Sequence, residues 1–455
     1  LYDCIEWAAD QPWSTGKVGL NGISYYAMNQ WHVASLQPPH LTAMCAWEGA
    51  ADFYRDIVRH GGIASITFWD NWYKAQVVHL EHGYGERGFV DPNSGMLVSG
   101  PETLTDEELA ANRVDFVGQV LAHPMDDEFH RGRSPDWSKI TVPLLSASNW
   151  GGQGLHPRGN FEGFTQSASK QKWLEVHGLE HWTHFYTDYG RELQLRFFDH
   201  FLKGIDNGWD QQPSVQLQIR HLDKFVERHE NEWPLARTEW TRLYLDPARR
   251  MLQREPAADE AKLTYPAMSD DGVTFVTPPL EEETEITGPV ALKLFLASST
   301  IDADIFVVLR VFDPDGHEVD FQGALDPRTP IGNGWLRASH RKLHPDLTRD
   351  YRPYHTHDEY QPLLRGKVYE LDVEIWPTCL VVPAGYRIAL TLLGKDFERP
   401  LGGGSLGTVL NPMRGSGPFL HNTPQDRPME IFDNEHTIYG GGNRGSYLLL
   451  PIIPK

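Results

Sequence analysis

Cysteine is scarce in this chain: Cys4, Cys45 and Cys379 are odd in number and far apart. Such spacing supplies neither a disulfide framework nor a zinc site. Long apolar runs are missing too. No segment approaches the roughly 20 residues that a membrane-spanning helix needs. Positive charge is in deficit, since 41 Lys and Arg against 62 Asp and Glu leave a formal charge of −21. A surface that acidic repels phosphate, which argues against nucleic acid or an anionic membrane as the main partner. There is no internal repeat and no long low-complexity tract; Gly402-Gly403-Gly404 and Gly440-Gly441-Gly442 read as loops. No targeting segment precedes Leu1, where a helix already reads as in progress, and a cytoplasmic location is expected.

What is present is a chain able to bury a core. It has 455 residues, 40% apolar and 23% charged, enough for two or three domains. Residues 1 to about 50 read as helix, strand, turn, helix, strand. Pro12 ends the first helix, because proline disfavours helical geometry in its predecessor. Lys17 to Leu20 is a short strand signal, a helix runs towards Leu36 ahead of Pro38-Pro39, and Leu41 to Trp47 is an apolar strand. This alternation predicts a parallel α/β sheet. Residues from about 52 to 138 break the rhythm with a polar, His- and aromatic-rich stretch, including a helix over Thr105 to Val120, and read as an inserted cap. The alternation resumes at Val142 to Leu145 and Trp173 to Val176. It closes with a helix through Leu193, Phe197, Phe198, Phe201 and Leu202 that Gly204 terminates. From about 213 the period falls to two, as in Tyr369 to Ile375 and Ile388 to Leu392. Turns such as Asp313-Pro314-Asp315-Gly316 lie between the strands. Many short strands without helices predict a β-sandwich or jelly roll over 213–455, after an α/β domain over 1–212.

Gly22-Ile23-Ser24-Tyr25-Tyr26 stands where a strand passes into a helix. A serine there occupies a sharp turn that lifts its Oγ above the sheet, and the next amide can donate to an oxyanion. The stretch from Gly16 to Tyr25 resembles the nucleophile elbow of the X-Pro dipeptidyl-peptidase and cocaine esterase family of serine hydrolases. Ala27 stands where that family has a glycine. Matching stretches follow at Ala51 to Arg55, Trp182-Thr183-His184, Ile286 to Pro289, and Asp302 to Val307. Further matches are Ile375-Trp376-Pro377, Pro383 to Ile388, and the ending Ser446 to Pro451. The resemblance implies an α/β-hydrolase with a helical cap followed by a C-terminal jelly roll, cleaving esters or amides without a cofactor. It also implies early strands and a second oxyanion donor, a tyrosine, that would lie ahead of Leu1.

The resemblance places the catalytic base at His184, in the Trp-x-His position; His181 reads as a loop or supporting residue. His32 and His40 flank the nucleophile helix without chemistry. The family's acid position falls on Gly152, which cannot orient an imidazole. Glu48, directly after the Leu41 to Trp47 strand, is the replacement, because the carboxyl ends of neighbouring parallel strands face one crevice. Against this, Glu48 could be a solvated loop residue or pair with Arg55 or Arg59. Glu162, Glu180 and Asp188 are weaker candidates. The Tyr25 amide would be one oxyanion donor. Trp69, Trp72, Tyr73 and Trp150 are candidates to line the substrate pocket, although rings there also serve simple packing.

The expectation is therefore a serine hydrolase acting on a small-molecule ester or amide through an acyl-enzyme on Ser24. The rival is a catalytically silent remnant whose jelly roll acts as a binding or assembly module. Homo-oligomer formation stays open.

Overall fold

The computed structural model describes residues 1–398 and 417–455; Gly402-Gly403-Gly404 lies outside them. The first module begins with α1 (Tyr2–Ala9), β1 (Val18–Ile23), α2 (Tyr25–Ser35) and β2 (Leu41–Trp47). A small hairpin, β3 (Arg59–His60) and β4 (Ile63–Ala64), opens the insertion. Helices α3 (Thr67–Gln76), α4 (Asp106–Asn112), α5 (Phe116–Ala122) and α6 (Glu128–Arg131) complete it. The single helix expected over 105–120 is thus two, since Asp115 caps a fresh start by accepting from the Gly118 amide. The alternation resumes with β5 (Leu144–Asn149), α7 (Pro157–Gln166), β6 (Lys172–His177), α8 (Thr183–Tyr186) and α9 (Asp188–Lys203). Gly204 ends α9 in the left-handed region, at φ 69°. Among the described residues no helix is long and apolar enough to cross a membrane.

Two more strands, β7 (Val215–Arg220) and β8 (Phe225–Glu230), finish this sheet in the order β1-β2-β5-β6-β7-β8. The pairs are parallel up to β7, and β8 returns antiparallel. The boundary expected at 212/213 falls just before β7. The two-residue period at 215–230 marks strands, and the structure pairs β7 with β6 of the α/β sheet and β8 with β7. Strand β2 shows why the central strands read as unbroken apolar runs. Ala43, Cys45 and Trp47 pack with Phe197 of α9, while Met44 and Ala46 pack with Trp31 of α2 on the other face.

The second module is all-β. Its strands are β9 (Glu239–Asp246), β10 (Met251–Gln253), β11 (Ala261–Pro266), β12 (Val273–Val276), β13 (Thr284–Ser298) and β14 (Asp304–Phe312). The others are β15 (Glu318–Val319), β16 (Gly332–Arg337), β17 (Tyr369–Val382), β18 (Arg387–Leu393), β19 (Glu435–Gly440) and β20 (Tyr447–Ile453). The ladder runs β13-β17-β16-β14-β18-β12-β10-β9-β20 and returns to β13. It is a closed circuit of nine strands rather than the two separate sheets of a sandwich. Alternate residues such as Leu292, Leu294, Leu371, Val373, Leu390 and Leu392 fill its interior. The modules meet where Cys379 and Val381 of β17 join Trp150, Phe161 and Val176 in one apolar cluster. Beside it, buried Arg158 pairs with Asp56 and with Glu374 of β17.

Candidate active site

Loops after the parallel strands β1, β2, β5 and β6 build the site, and three of them carry a non-glycine residue at positive φ. These are Ser24 after β1 (φ 62°), Glu48 after β2 (φ 48°) and Leu179 after β6 (φ 70°). Such backbone costs on the order of 1–3 kcal/mol per residue and persists only where its surroundings enforce it. The enforcement is visible. The Ser24 amide donates to Trp47 O at 3.0 Å and the Glu48 amide to Ala147 O at 2.6 Å, continuing the ladder past the strand ends. At Gly22 an added Cβ would sit 2.5 Å from Tyr26 Cβ, so the tight turn into α2 needs glycine. Ala27 is tolerated in a glycine's place because Gly49 faces it: a Cβ at Gly49 would come within 2.8 Å of Ala27 Cβ.

Ser24 Oγ hydrogen-bonds His156 Nε2 at 3.1 Å. His156 stands at the start of α7, and its Nδ1 accepts the Ala50 amide at 3.1 Å. A backbone N–H can only donate, so the ring proton of a neutral His156 sits on Nε2 and points at Ser24 Oγ. Burial, with His181 beside it, holds this imidazole well below its ordinary pKa, so it is neutral. In that state His156 is a donor to the hydroxyl and cannot take the serine's proton.

The His181 ring lies parallel to that of His156, centroids 4.9 Å apart and planes 9° from parallel. Its Nδ1 meets Glu48 Oε2 at 2.8 Å, and its amide is held by Ala324 O of the β-module at 3.0 Å. Glu48 is fully buried. Burial alone would raise its carboxyl, but His181 and His177 outweigh that and hold it at about 2. Asn149 Nδ2 donates to Leu179 O at 3.0 Å and reaches Glu48 Oε1 at 3.4 Å, tying two of these loops together.

Sequence reasoning and structure agree on bringing Ser24 and Glu48 to one crevice. They disagree on the histidine. His184 lies within α8 with its ring against His177 and Tyr189, 5.3 and 5.5 Å away, and its Nδ1 has no hydrogen-bond partner among the described residues. Three residues separate the two candidates. Because the helical turn of α8 starts at Thr183, it carries His184 away, whereas His181 stays on the strand-end loop. His156 was not anticipated. Its signal was its place in the loop after β5, the segment that also holds the acid-free Gly152.

Of the other acids, Glu162 pairs with Arg352, Glu180 accepts from Thr183, and Asp188 meets Arg191. Among the expected pocket residues Trp69 and Trp150 are buried and donate to Ile57 O and Gln218 O, so they pack rather than line. Tyr73 Oη accepts the Val114 amide within the cap. Trp72 does approach the site, its ring 5.4 Å from that of Tyr25. Tyr25, Tyr26 and Trp182, neighbours of Ser24 and His181, are exposed. Among the described residues one trio, Asp313, Asp315 and His317, could converge on a metal ion, and it belongs to the turn between β14 and β15.

Two family models match this chain. One is the X-Pro dipeptidyl-peptidase (S15 family) over residues 1–186, and the other is the X-Pro dipeptidyl-peptidase C-terminal non-catalytic domain over 207–449. A solved CocE/NonD family hydrolase from Staphylococcus aureus is 31% identical, with a TM-score of 0.83. It matches 99% of this chain and 75% of its own. The cocaine esterase of a Rhodococcus species is 21% identical, covering 100% of this chain and 83% of that protein. A protein of Mycobacterium bovis named as a putative serine esterase is 24% identical over 87% of this chain and 73% of its own.

Proposed function

Because the chain belongs to the X-Pro dipeptidyl-peptidase (S15) family and is a hydrolase, we propose that it cleaves esters or amides through an acyl-enzyme on Ser24. Ser24 Oγ attacks the carbonyl carbon, and its proton passes to Nε2 of His181. Glu48 holds the Nδ1–H side of that ring and balances the imidazolium as it forms. His156 fixes the hydroxyl by donating to Oγ, which leaves the serine's own proton free for His181. The Tyr25 amide, at the positive end of α2, donates to the oxyanion. His181 then protonates the leaving alcohol or amine, and water releases the acyl group by the reverse sequence.

One observation carries this reading. The buried Glu48–His181 pair lies face to face with the imidazole that touches a strained serine. The remnant alternative drew on the early strands implied ahead of Leu1 and on the vacant acid position at Gly152; for the second, Glu48 offers a carboxylate from the strand beside β5. Exposed Tyr25, Tyr26 and Trp182 favour a substrate with an aromatic or otherwise apolar group beside the carbonyl.

Hydrolysis of p-nitrophenyl esters by His181→Gln and His184→Gln tests the assignment. His181→Gln is expected to lose at least about a hundredfold in kcat, while His184→Gln stays within a few-fold of wild type. The opposite ranking would return the base to His184.

A further inference from the structure

Behind Glu48 lies a second, wholly buried layer that the proposed chemistry does not use. His177, the last residue of β6, places Nε2 3.0 Å from Glu48 Oε1 and Nδ1 2.7 Å from Glu175 Oε2. All three side chains are at most 1% exposed. Both ring nitrogens therefore face carboxylate oxygens, which can only accept unless protonated. Three groups from two strands share these contacts, and among the described residues neither glutamate has an Arg or Lys partner. Two buried carboxylates without a cation would be prohibitively costly, so one charge must be compensated on the spot.

We propose that His177 is a positioning residue, a permanent imidazolium that neutralises Glu175 and so keeps Glu48 ionised and aimed at His181. This rests on the Ser24–His181–Glu48 reading above.

The surroundings agree from every side. Glu175 Oε1 accepts from Tyr189 Oη of α9 at 2.9 Å, and that hydroxyl accepts from Gln216 of β7 at 2.9 Å. The neutral tyrosine hydroxyl thus holds Glu175 Oε1 without discharging the carboxylate. Trp47 stacks on the His177 ring at 5.1 Å, a face that suits a cation. Burial works against the charge, yet Glu175 and Glu48 outweigh it and push the imidazole up to about 10. His184, the other titratable ring packed against His177, is itself pushed down by burial and by the His177 charge. Cys45 faces the same layer from β2, and burial with the Glu175 charge pushes its thiol up, so it stays neutral. The layer thus holds two negative charges and one positive charge, with the remaining −1 on the side that His181 touches.

A charge-balanced pair of substitutions separates this role from simple packing. His177→Gln alone is expected to lower kcat for a p-nitrophenyl ester at least about tenfold, with KM little changed. Glu175→Gln alone should be mild. Combining them removes one positive and one negative charge, and the double variant should recover most of the lost kcat. If it is no better than His177→Gln, the charge argument is overturned.

Should His177→Gln not fold, nitrogen NMR of the wild-type histidines decides without any variant. At pH 8 the His177 ring must carry protons on both nitrogens, and a neutral His177 overturns the proposal. That spectrum needs no substrate. Loss of the Ser24 reading, seen as undiminished turnover in Ser24→Ala, would be recognised separately.

Discussion

Among the described residues two buried carboxylate–imidazole–imidazole arrangements can be compared, and only one of them ends on a serine hydroxyl. In the α/β module Glu48 meets His181, which stacks on His156, which touches Ser24. At the junction with the β-module Asp396 meets His421 Nδ1 at 2.7 Å, and His421 Nε2 meets His60 Nδ1 at 2.8 Å. That second chain ends on the backbone carbonyl of Asp56, 3.3 Å from His60 Nε2. Trp335 and Trp376 close over His60 at 4.8 and 5.3 Å. Burial, with His421 beside it, holds His60 well below its ordinary pKa. A carboxylate on a histidine is therefore a general way to satisfy buried polar groups, not a signature of catalysis. What distinguishes the first arrangement is where it ends, on a serine forced to φ 62° beside exposed aromatic rings.

Removing the carboxylate from each chain should break the likeness most sharply. Glu48→Gln is expected to cut kcat by orders of magnitude, on the scale of general-base catalysis, while thermal unfolding still shows a folded protein. Asp396→Asn should leave kcat of the folded enzyme near wild type. Its cost is stability, about 1–3 kcal/mol for a compromised buried hydrogen bond, read as a lower urea midpoint. Equal losses of kcat in the two variants would mean that the chains are not functionally distinct.

A smaller effect separates them by pH. His177 titrates near 10 in the fold against an ordinary 6.5, so its stabilisation is full below pH 6.5 and is lost as pH rises through 10. His60 is depressed instead, so the unfolded chain binds its proton first and stability falls as pH drops below 6.5. Urea midpoints from pH 5 to 10 should show His177→Gln flattening the alkaline side alone. A His60→Gln variant should flatten the acid side alone.

Much of this was legible in the residues, and the failures have physical causes. Leu41–Trp47 reads as a doubly covered strand because both faces are apolar, and both faces are in fact packed. Glu48 is legible because strand ends of a parallel sheet share a crevice, a rule of topology rather than of motif. Trp-x-His fixes a place along the chain and points to His184, whereas it is the His181 ring that meets Glu48. Which ring reaches the carboxylate depends on the Leu179 turn and on where α8 begins. A two-residue period shows that β7 and β8 are strands without naming their partners, which lie in the α/β sheet. Trp69 and Trp150 were indistinguishable from pocket rings, since an aromatic that packs and one that lines a cleft are the same residue in sequence. Conversely, nothing local marks Ala324, yet its carbonyl pins the His181 amide from the other module.

The most direct measurement is mass spectrometry of the protein after reaction with a fluorophosphonate, which labels only a serine whose proton has somewhere to go. One adduct on Ser24 is predicted, lost in His181→Gln and in Glu48→Gln but retained in His184→Gln and in Asp396→Asn. A folded wild-type protein that takes no label, or one whose labelling survives His181→Gln and vanishes with His184→Gln, would contradict the site described.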